Sequence, residues 1–347
     1  MYVPVSFLPF LRWLGEDTAL AVSVLLTLGV LLVNGWTDAP NAIACAVVTG
    51  AMPFPAAAAM AAVCNFLGVL CVTSINTSVA QTIYEIADFG SSSTQASIAL
   101  CAAMTAIVLW ATFAWRLGIP TSESHALIAG ISGAAIALKG FGYLRPEAWI
   151  RVLWGLILST GAGFILGRLS MALTARLPGK DGVYRLAQVP GAALTAFLHG
   201  AQDGQKFLGI FVLGVSLARG WDEQGVFVAP MWLILLCAGT IALGTALGGR
   251  RIIDRVGRDM VDLTPRRGFA ADLAGCICLL AATVWGLPVS TTHTRTTALL
   301  GVSAQENGRT DKGVICCIIW TWLLTFPGCG IIGFAMARLF LRLFVFR

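Results

Sequence analysis

Two acidic segments and two hydroxyl-rich segments interrupt a chain that is otherwise a series of apolar runs. The acidic ones are Gly35-Trp36-Thr37-Asp38 and Gly200-Ala201-Gln202-Asp203, whose aspartates lie 165 residues apart. The hydroxyl-rich ones are Gly118-Ile119-Pro120-Thr121-Ser122-Glu123-Ser124-His125 and Gly286-Leu287-Pro288-Val289-Ser290-Thr291-Thr292-His293. Their histidines lie 168 residues apart, close to half of the 347-residue chain. A carboxylate at membrane depth is costly unless it is paired, hydrogen-bonded or facing water, so such residues mark ion or substrate paths. Carboxylates and hydroxyls at matching places in two halves are the pattern of a transporter built from a repeat.

Asn34, Asp38 and Asn41 are spaced by four and three residues and share one face of a helix. Gly35 and Pro40 predict that this helix is interrupted. The second copy supplies His199, Asp203, Gln205 and Lys206. Carboxylate, amide and freed backbone oxygens are hard ligands that suit a small cation. One such aspartate alone would read as a helix cap at the membrane edge; two at matched positions read as an ion site.

Pro120 and Pro288 are each followed by hydroxyl residues that open an apolar helix. The prolines are expected in the first helical turn, where Ser or Thr satisfies the free backbone N–H groups. Such helix starts also attract anions. Two of them aimed at a common centre suit an anion with several oxygens, with Ser122, Ser124, Ser290, Thr291 and Thr292 as donors. His125 and His293 follow their serines by three residues and are expected to pack beneath that site. A Ser–His hydrolase is the competing reading, but both copies are intact, where an enzyme needs only one. A passive anion channel is a further alternative. Glu123 and Arg295 have no charged counterparts in the other copy and read either as tuning residues or as solvent-facing helix ends.

A carboxylate about 4 Å from a divalent oxyanion is repelled by roughly 8 kcal/mol at an effective dielectric near 20. Each hydrogen bond to a charged group returns only about 1.5–3 kcal/mol. Asp38 and Asp203 can therefore share a pocket with such an anion only if cations or protons come between, which predicts obligatory symport.

The elements that position these residues must lie in a membrane. The chain is 57% hydrophobic and 12% charged, with a mean hydropathy of +0.83, against about 25% charged residues in soluble domains. Its apolar runs predict an all-α, polytopic protein of the cell (plasma) membrane, with about ten crossings plus broken or re-entrant helices. Membrane lipid is thus an implied partner. The net charge of +6 lies in loops between apolar runs and does not suggest nucleic acid. The ten cysteines sit mostly in apolar runs and read as small buried hydrophobes. The run 18–33 is not expected to be a cleaved signal, because the first polar motif follows it directly.

Residues 1–171 and 187–347 read as two repeats joined by a cytoplasmic connector, 172–186. The loop 76–96 has no Lys or Arg and carries Glu85 and Asp88; its counterpart, 249–268, is rich in arginine. Matching loops of opposite charge bias belong on opposite sides, which makes the repeats inverted.

Asn34-Gly35-Trp36-Thr37-Asp38-Ala39-Pro40-Asn41-Ala42 and His199-Gly200-Ala201-Gln202-Asp203-Gly204-Gln205-Lys206 resemble the paired signatures of the PiT-type inorganic phosphate transporters. The segments from Pro120 to His125 and from Pro288 to His293 resemble that family's other paired element. The resemblance implies an inverted-repeat fold, uptake of inorganic phosphate coupled to sodium or protons, and often a homodimer. It places Asp38, Asn41, Asp203 and Gln205 in the cation and phosphate centre. The hydroxyls after Pro120 and Pro288, Thr121 included, would line the phosphate site. Thr37 and Gln202 stand where many members carry Asn. Sodium is the leading coupling ion; proton coupling, a metal–phosphate complex or sulfate as cargo are the alternatives.

Overall fold

The computed structural model describes residues 6–86, 89, 93–219, 229–306, 308 and 310–344. Asp88 of the acidic segment lies outside the described residues. Among the described residues there is no β-strand, only an isolated bridge between Val261 and Thr310. The first part comprises α1 (Phe7–Glu16), α2 (Thr18–Thr37), α3 (Pro40–Val48), α4 (Phe54–Thr73), α5 (Ser78–Tyr84), α6 (Ser93–Arg116), α7 (Glu123–Lys139) and α8 (Pro146–Ala175). The second comprises α9 (Asp181–His199), α10 (Gln205–Arg219), α11 (Met231–Leu247), α12 (Arg250–Asp254), α13 (Pro265–Val284), α14 (Thr291–Gln305) and α15 (Lys312–Phe344).

Among the described residues, six helical segments are long and apolar enough to cross a membrane, with Thr18–Val48 counted as one; α11 with Arg250–Asp259 makes a seventh, bent by 65°. The bend falls at Gly248 and Gly249, whose φ angles of 130° and 138° are open only to glycine at little cost. The exposed residues of α8 and α15 include Trp154, Ile157, Leu158 and Ile165, and Trp320, Leu323, Leu324 and Ile331. That is the surface lipid requires, and the chain is a multi-pass membrane protein. By contrast α9 and α10 bury Gln188, His199, Gln205 and Lys206, so their polar side chains face protein.

The helices of the two parts pair in a matched way. α2 packs on α6 and α11, as α9 packs on α13 and α4. α3 meets α9, α12 and α13, as α10 meets α2, α5 and α6. α7 lies between α6 and α15, as α14 lies between α13 and α8. The closing helix of each part thus lies against the motif helix of the other.

These contacts explain the glycines that open the acidic motifs. A Cβ on Gly35 would stand 2.4 Å from the carbonyl oxygen of Ile241 in α11. A Cβ on Gly200 would stand 2.2 Å from that of Asn65 in α4. Lipid offers helices no hydrophobic drive to associate, so close backbone approach at small residues must supply it.

Two segments expected to be loops contain helix. Residues 76–96 hold α5, and 249–268 hold α12 followed by a π-helical turn over Arg255–Asp259. In the latter, Arg255 pairs with Asp259 at 3.4 Å and Arg258 with Asp254 at 3.2 Å. These oppositely charged neighbours one turn apart support a helix that the arginine content alone disguised.

Candidate functional site

Both aspartates sit where a helix is interrupted, but in different ways. α2 ends at Thr37 and α3 begins at Pro40, leaving Asp38 and Ala39 at the joint. Pro40 has no N–H to continue the α2 ladder and is well placed to start a helix instead. The interruption expected around Gly35 and Pro40 therefore falls at Asp38, while Gly35 remains helical. Asp203 lies in a π-helical turn, Gly200–Gly204, between α9 and α10. Such single π turns expose backbone and concentrate at functional positions.

The two carboxylates share one buried centre. Asp38, His199 and Asp203 each offer a ligand atom, and these atoms lie within 4.8 Å of one another. Asn41 Nδ2 donates to Asp38 Oδ1 at 2.8 Å. Asn34 Nδ2 reaches across the molecule and donates to Asp203 Oδ2 at 3.0 Å. Thr291 Oγ1 donates to Asp38 Oδ2 at 2.9 Å and stands 3.5 Å from Asp203 Oδ2. The Thr292 hydroxyl also donates to Asp38. His199 Nδ1 meets Asn65 Oδ1 at 2.9 Å, and its Nε2 lies 3.4 Å from Asp203 Oδ2. The sequence reading passed over Asn65, although an amide within the apolar run of α4 was a signal for it.

Lys206 binds the second carboxylate directly. Its ammonium donates to Asp203 Oδ1 at 2.6 Å, to Ser124 Oγ at 2.7 Å and to the Val289 carbonyl at 2.6 Å. An ammonium has three donors, and all three are used. Lys206 is only 1% exposed, so this charge is held inside the protein against its acidic partner.

Further side-chain oxygens of the acidic motifs and of Glu123 lack donors. Among the described residues, Asn34 Oδ1, Asn41 Oδ1, Glu123 Oε2, Gln202 Oε1 and Gln205 Oε1 are buried without a hydrogen-bond partner. Buried polar atoms are nearly always satisfied in native proteins, and oxygens around carboxylates are what a hard cation takes. Thr37 Oγ1 meets the Val33 carbonyl at 2.8 Å and is also bonded to Glu123 Oε1. Gln202 Nε2 donates to Thr283 Oγ1 at 3.0 Å. The carboxylates of Asp38 and Asp203, with the unpartnered amide oxygens of Asn34 and Asn41 on side chains that bind them, are of the chemistry a small hard cation takes.

The hydroxyl-rich motifs bring α7 and α14 to the same centre. Gly118 and Gly286 both have φ of 66°, a turn that glycine makes without strain. Ser122 and Ser290 then cap the helices, accepting from the backbone N–H of His125 at 3.3 Å and of His293 at 3.2 Å. Both serines have extended backbones, so Pro120 and Pro288 lie ahead of the caps and not in the first helical turns. The caps leave the earliest N–H groups of each helix outside the intrahelical ladder. Ser124 Oγ is engaged by Lys206 and lies 3.3 Å from the Val289 carbonyl. Only the Thr121 side chain turns elsewhere: its Oγ1 meets Trp110 Nε1 and Thr325 Oγ1, each at 3.1 Å, while its carbonyl accepts from Thr292 Oγ1 at 3.2 Å.

The histidine rings point away from the serines. His125 and His293 meet edge to face at 4.3 Å; His293 stacks on Trp322 at 3.6 Å, and His125 lies against Phe326 at 4.4 Å. Glu123 and Arg295 are 1% and 2% exposed, which overturns the solvent-facing alternative for both. Arg295 pairs with Asp272 at 2.5 Å and donates to the Ala271 carbonyl at 3.1 Å. A buried charge in an apolar helix demands a partner, but nothing in the spacing pointed to Asp272.

An all-helical membrane protein whose matched parts meet at a buried centre of carboxylates, amides and hydroxyls has the make-up of a secondary transporter. The model of the Phosphate transporter family matches residues 34–182 and again 178–333, and the chain belongs to that family. A "Probable low-affinity inorganic phosphate transporter" of Bacillus subtilis (strain 168) is 32% identical over 327 residues, covering 91% of this chain and 96% of its own. A relative of the same description from Rhizobium meliloti (strain 1021) is 34% identical over 308 residues, covering 86% and 90%. A solved structure described as "The sodium-dependent phosphate transporter" has the same fold, with a TM-score of 0.84 at 21% identity. It covers 95% of this chain and 100% of that one. The relatives are transporters and the chain is not an enzyme, which sets aside the Ser–His hydrolase.

Proposed function

We propose that the protein is a secondary active transporter that moves inorganic phosphate across the plasma membrane by symport with sodium. The observation that carries this reading is the buried cluster in which Asp38 and Asp203 converge with donor-free amide oxygens and two helix starts. Family membership and the relatives' descriptions support phosphate as the cargo. The donor set supports a small cation as the coupling ion, and the description of the solved neighbour agrees.

Asp38, Asn34, Thr37, Asn41, Gln202, Asp203 and Gln205 form the cation centre. Ser290, Thr291 and Thr292, with Ser122, Ser124, Thr121 and the first N–H groups of α7 and α14, form the phosphate side; His125, His199, His293 and Lys206 support it. The cation binds first, because it removes the roughly 8 kcal/mol repulsion between one carboxylate and a divalent oxyanion about 4 Å away.

Residues 1–171 and 187–347 insert as inverted repeats about the connector 172–186, with about ten crossings, and the protein works as a homodimer in lipid. The matched helix pairings and the opposite charge bias of the paired segments support the inversion. Labelled phosphate uptake into proteoliposomes at fixed pH tests the coupling. Uptake should depend on sodium; equal uptake with choline in its place removes sodium from the reading.

A further inference from the structure

The residue three places after each aspartate differs between the halves: Asn41 after Asp38, Lys206 after Asp203. The two positions are structurally equivalent, since α3 and α10 occupy matched places among their neighbours. Both side chains bind their own aspartate, Asn41 Nδ2 at 2.8 Å and Lys206 Nζ at 2.6 Å. One brings a neutral amide, whose Oδ1 is left without a donor among the described residues. The other brings a full positive charge.

The surroundings of Lys206 Nζ are those of a coordinated cation. Its neighbours are a carboxylate, a hydroxyl and a backbone carbonyl, all oxygens, at 2.6–2.7 Å. These come from the π-turn aspartate, from the first turn of α7 and from the residue before the α14 cap. They are elements of the kind that hold ions at broken helices. Among the described residues, the hydrogen-bond donors to the Asp38 carboxylate are neutral, Asn41, Thr291 and Thr292. The lysine or arginine that pairs with a carboxylate at the centre, among the described residues, is Lys206, with Asp203.

We propose that Lys206 is a tethered counter-cation, its ammonium filling beside Asp203 the place that a free ion takes beside Asp38. The protein therefore couples phosphate to one fewer free cation than it would with asparagine at residue 206. This rests on the cation-coupled reading above but predicts a difference between two variants, whatever the coupling number of the parent.

The test is Lys206→Asn, which copies Asn41 into the second half. Sodium and phosphate uptake are measured together in proteoliposomes with both labelled. The variant should take up one more sodium per phosphate than the parent, and the sodium order of uptake should rise by about one. Asn41→Lys should lower it by one. Melting of the purified proteins against sodium concentration reads the same site without transport: Lys206→Asn should gain a larger sodium-dependent shift than the parent. An active variant with unchanged sodium order, or an inactive one with no added sodium stabilisation, overturns the proposal. A parent indifferent to sodium removes the sodium reading alone; a sodium requirement that appears only in Lys206→Asn would still uphold the tethered charge.

Discussion

Asp38 and Asp203 lie against the same threonine and each accepts from an asparagine amide, yet a lysine ammonium binds Asp203 alone. Asp38 ends one helix before another begins, and its oxygens take hydrogen bonds from an amide and two hydroxyls. Asp203 lies within a continuous helical run; it too takes a hydrogen bond from an amide, Asn34, but it is also bound by the Lys206 ammonium at 2.6 Å. Removing a neutral donor from a carboxylate costs a hydrogen bond, whereas removing a buried charge strands its partner. Matched sequence positions therefore need not carry matched work: under the proposed symport the first aspartate is the one left to a visiting ion, while the second already holds a charge of the protein's own.

The largest expected effect is on transport at the open centre. Asp38→Asn should lower phosphate uptake by at least about 100-fold, about 2.7 kcal/mol or the worth of one strong hydrogen bond to a charged group, while the melting temperature changes little. Retained sodium-dependent uptake would erase the distinction between the two centres. Asp203→Asn should differ in kind: it leaves Lys206 buried without its counter-charge and should cost about 3–5 kcal/mol of stability. The double variant Asp203→Asn, Lys206→Met should recover much of that loss in a melt, because an unpaired charge is no longer buried.

Thr291→Val addresses the residue the two centres share. It should raise the apparent phosphate KM by about tenfold, the worth of one hydrogen bond to a charged group, and should shift the sodium dependence with it. A change in KM at constant sodium dependence would detach Thr291 from Asp38. Gly35→Ala and Gly200→Ala should each destabilise by about 1–3 kcal/mol through overpacking. Unequal melts for the two would mean that the helix contacts at these glycines are not equivalent. Smallest are Ser122→Ala and Ser290→Ala, each expected to cost about 1 kcal/mol as a lost helix cap.

Much of this centre was legible in the residues themselves. The two acidic and two hydroxyl motifs repeat at half-chain spacing, and burial of all four aspartate and histidine positions follows from their apolar settings. The break in α2 was visible in Pro40, although its exact placement was set by where the ladder last closes, at Asp38 N to Asn34 O. What spacing could not show is which side chain answers which. Helical periodicity grouped Asn34 with Asp38, yet Asn34 bonds Asp203, 169 residues away. Lys206 read as a supporting residue because its role depends on Ser124 and Val289, which only the pairing of the halves brings near. Glu123 and Arg295 were ambiguous for the same reason: a charge near a helix start can meet water or a buried partner, and Thr37 and Asp272 come from other helices.

A hydroxyl owns a single hydrogen, and that of Thr291 has two claimants, at 2.9 Å and 3.5 Å. It can serve one oxygen at a time. Under the proposed symport, an ion at Asp38 would neutralise that claim and free the hydrogen to turn toward a phosphate oxygen. The occupancy of one ligand would then be reported to the other by the rotation of a single side-chain bond.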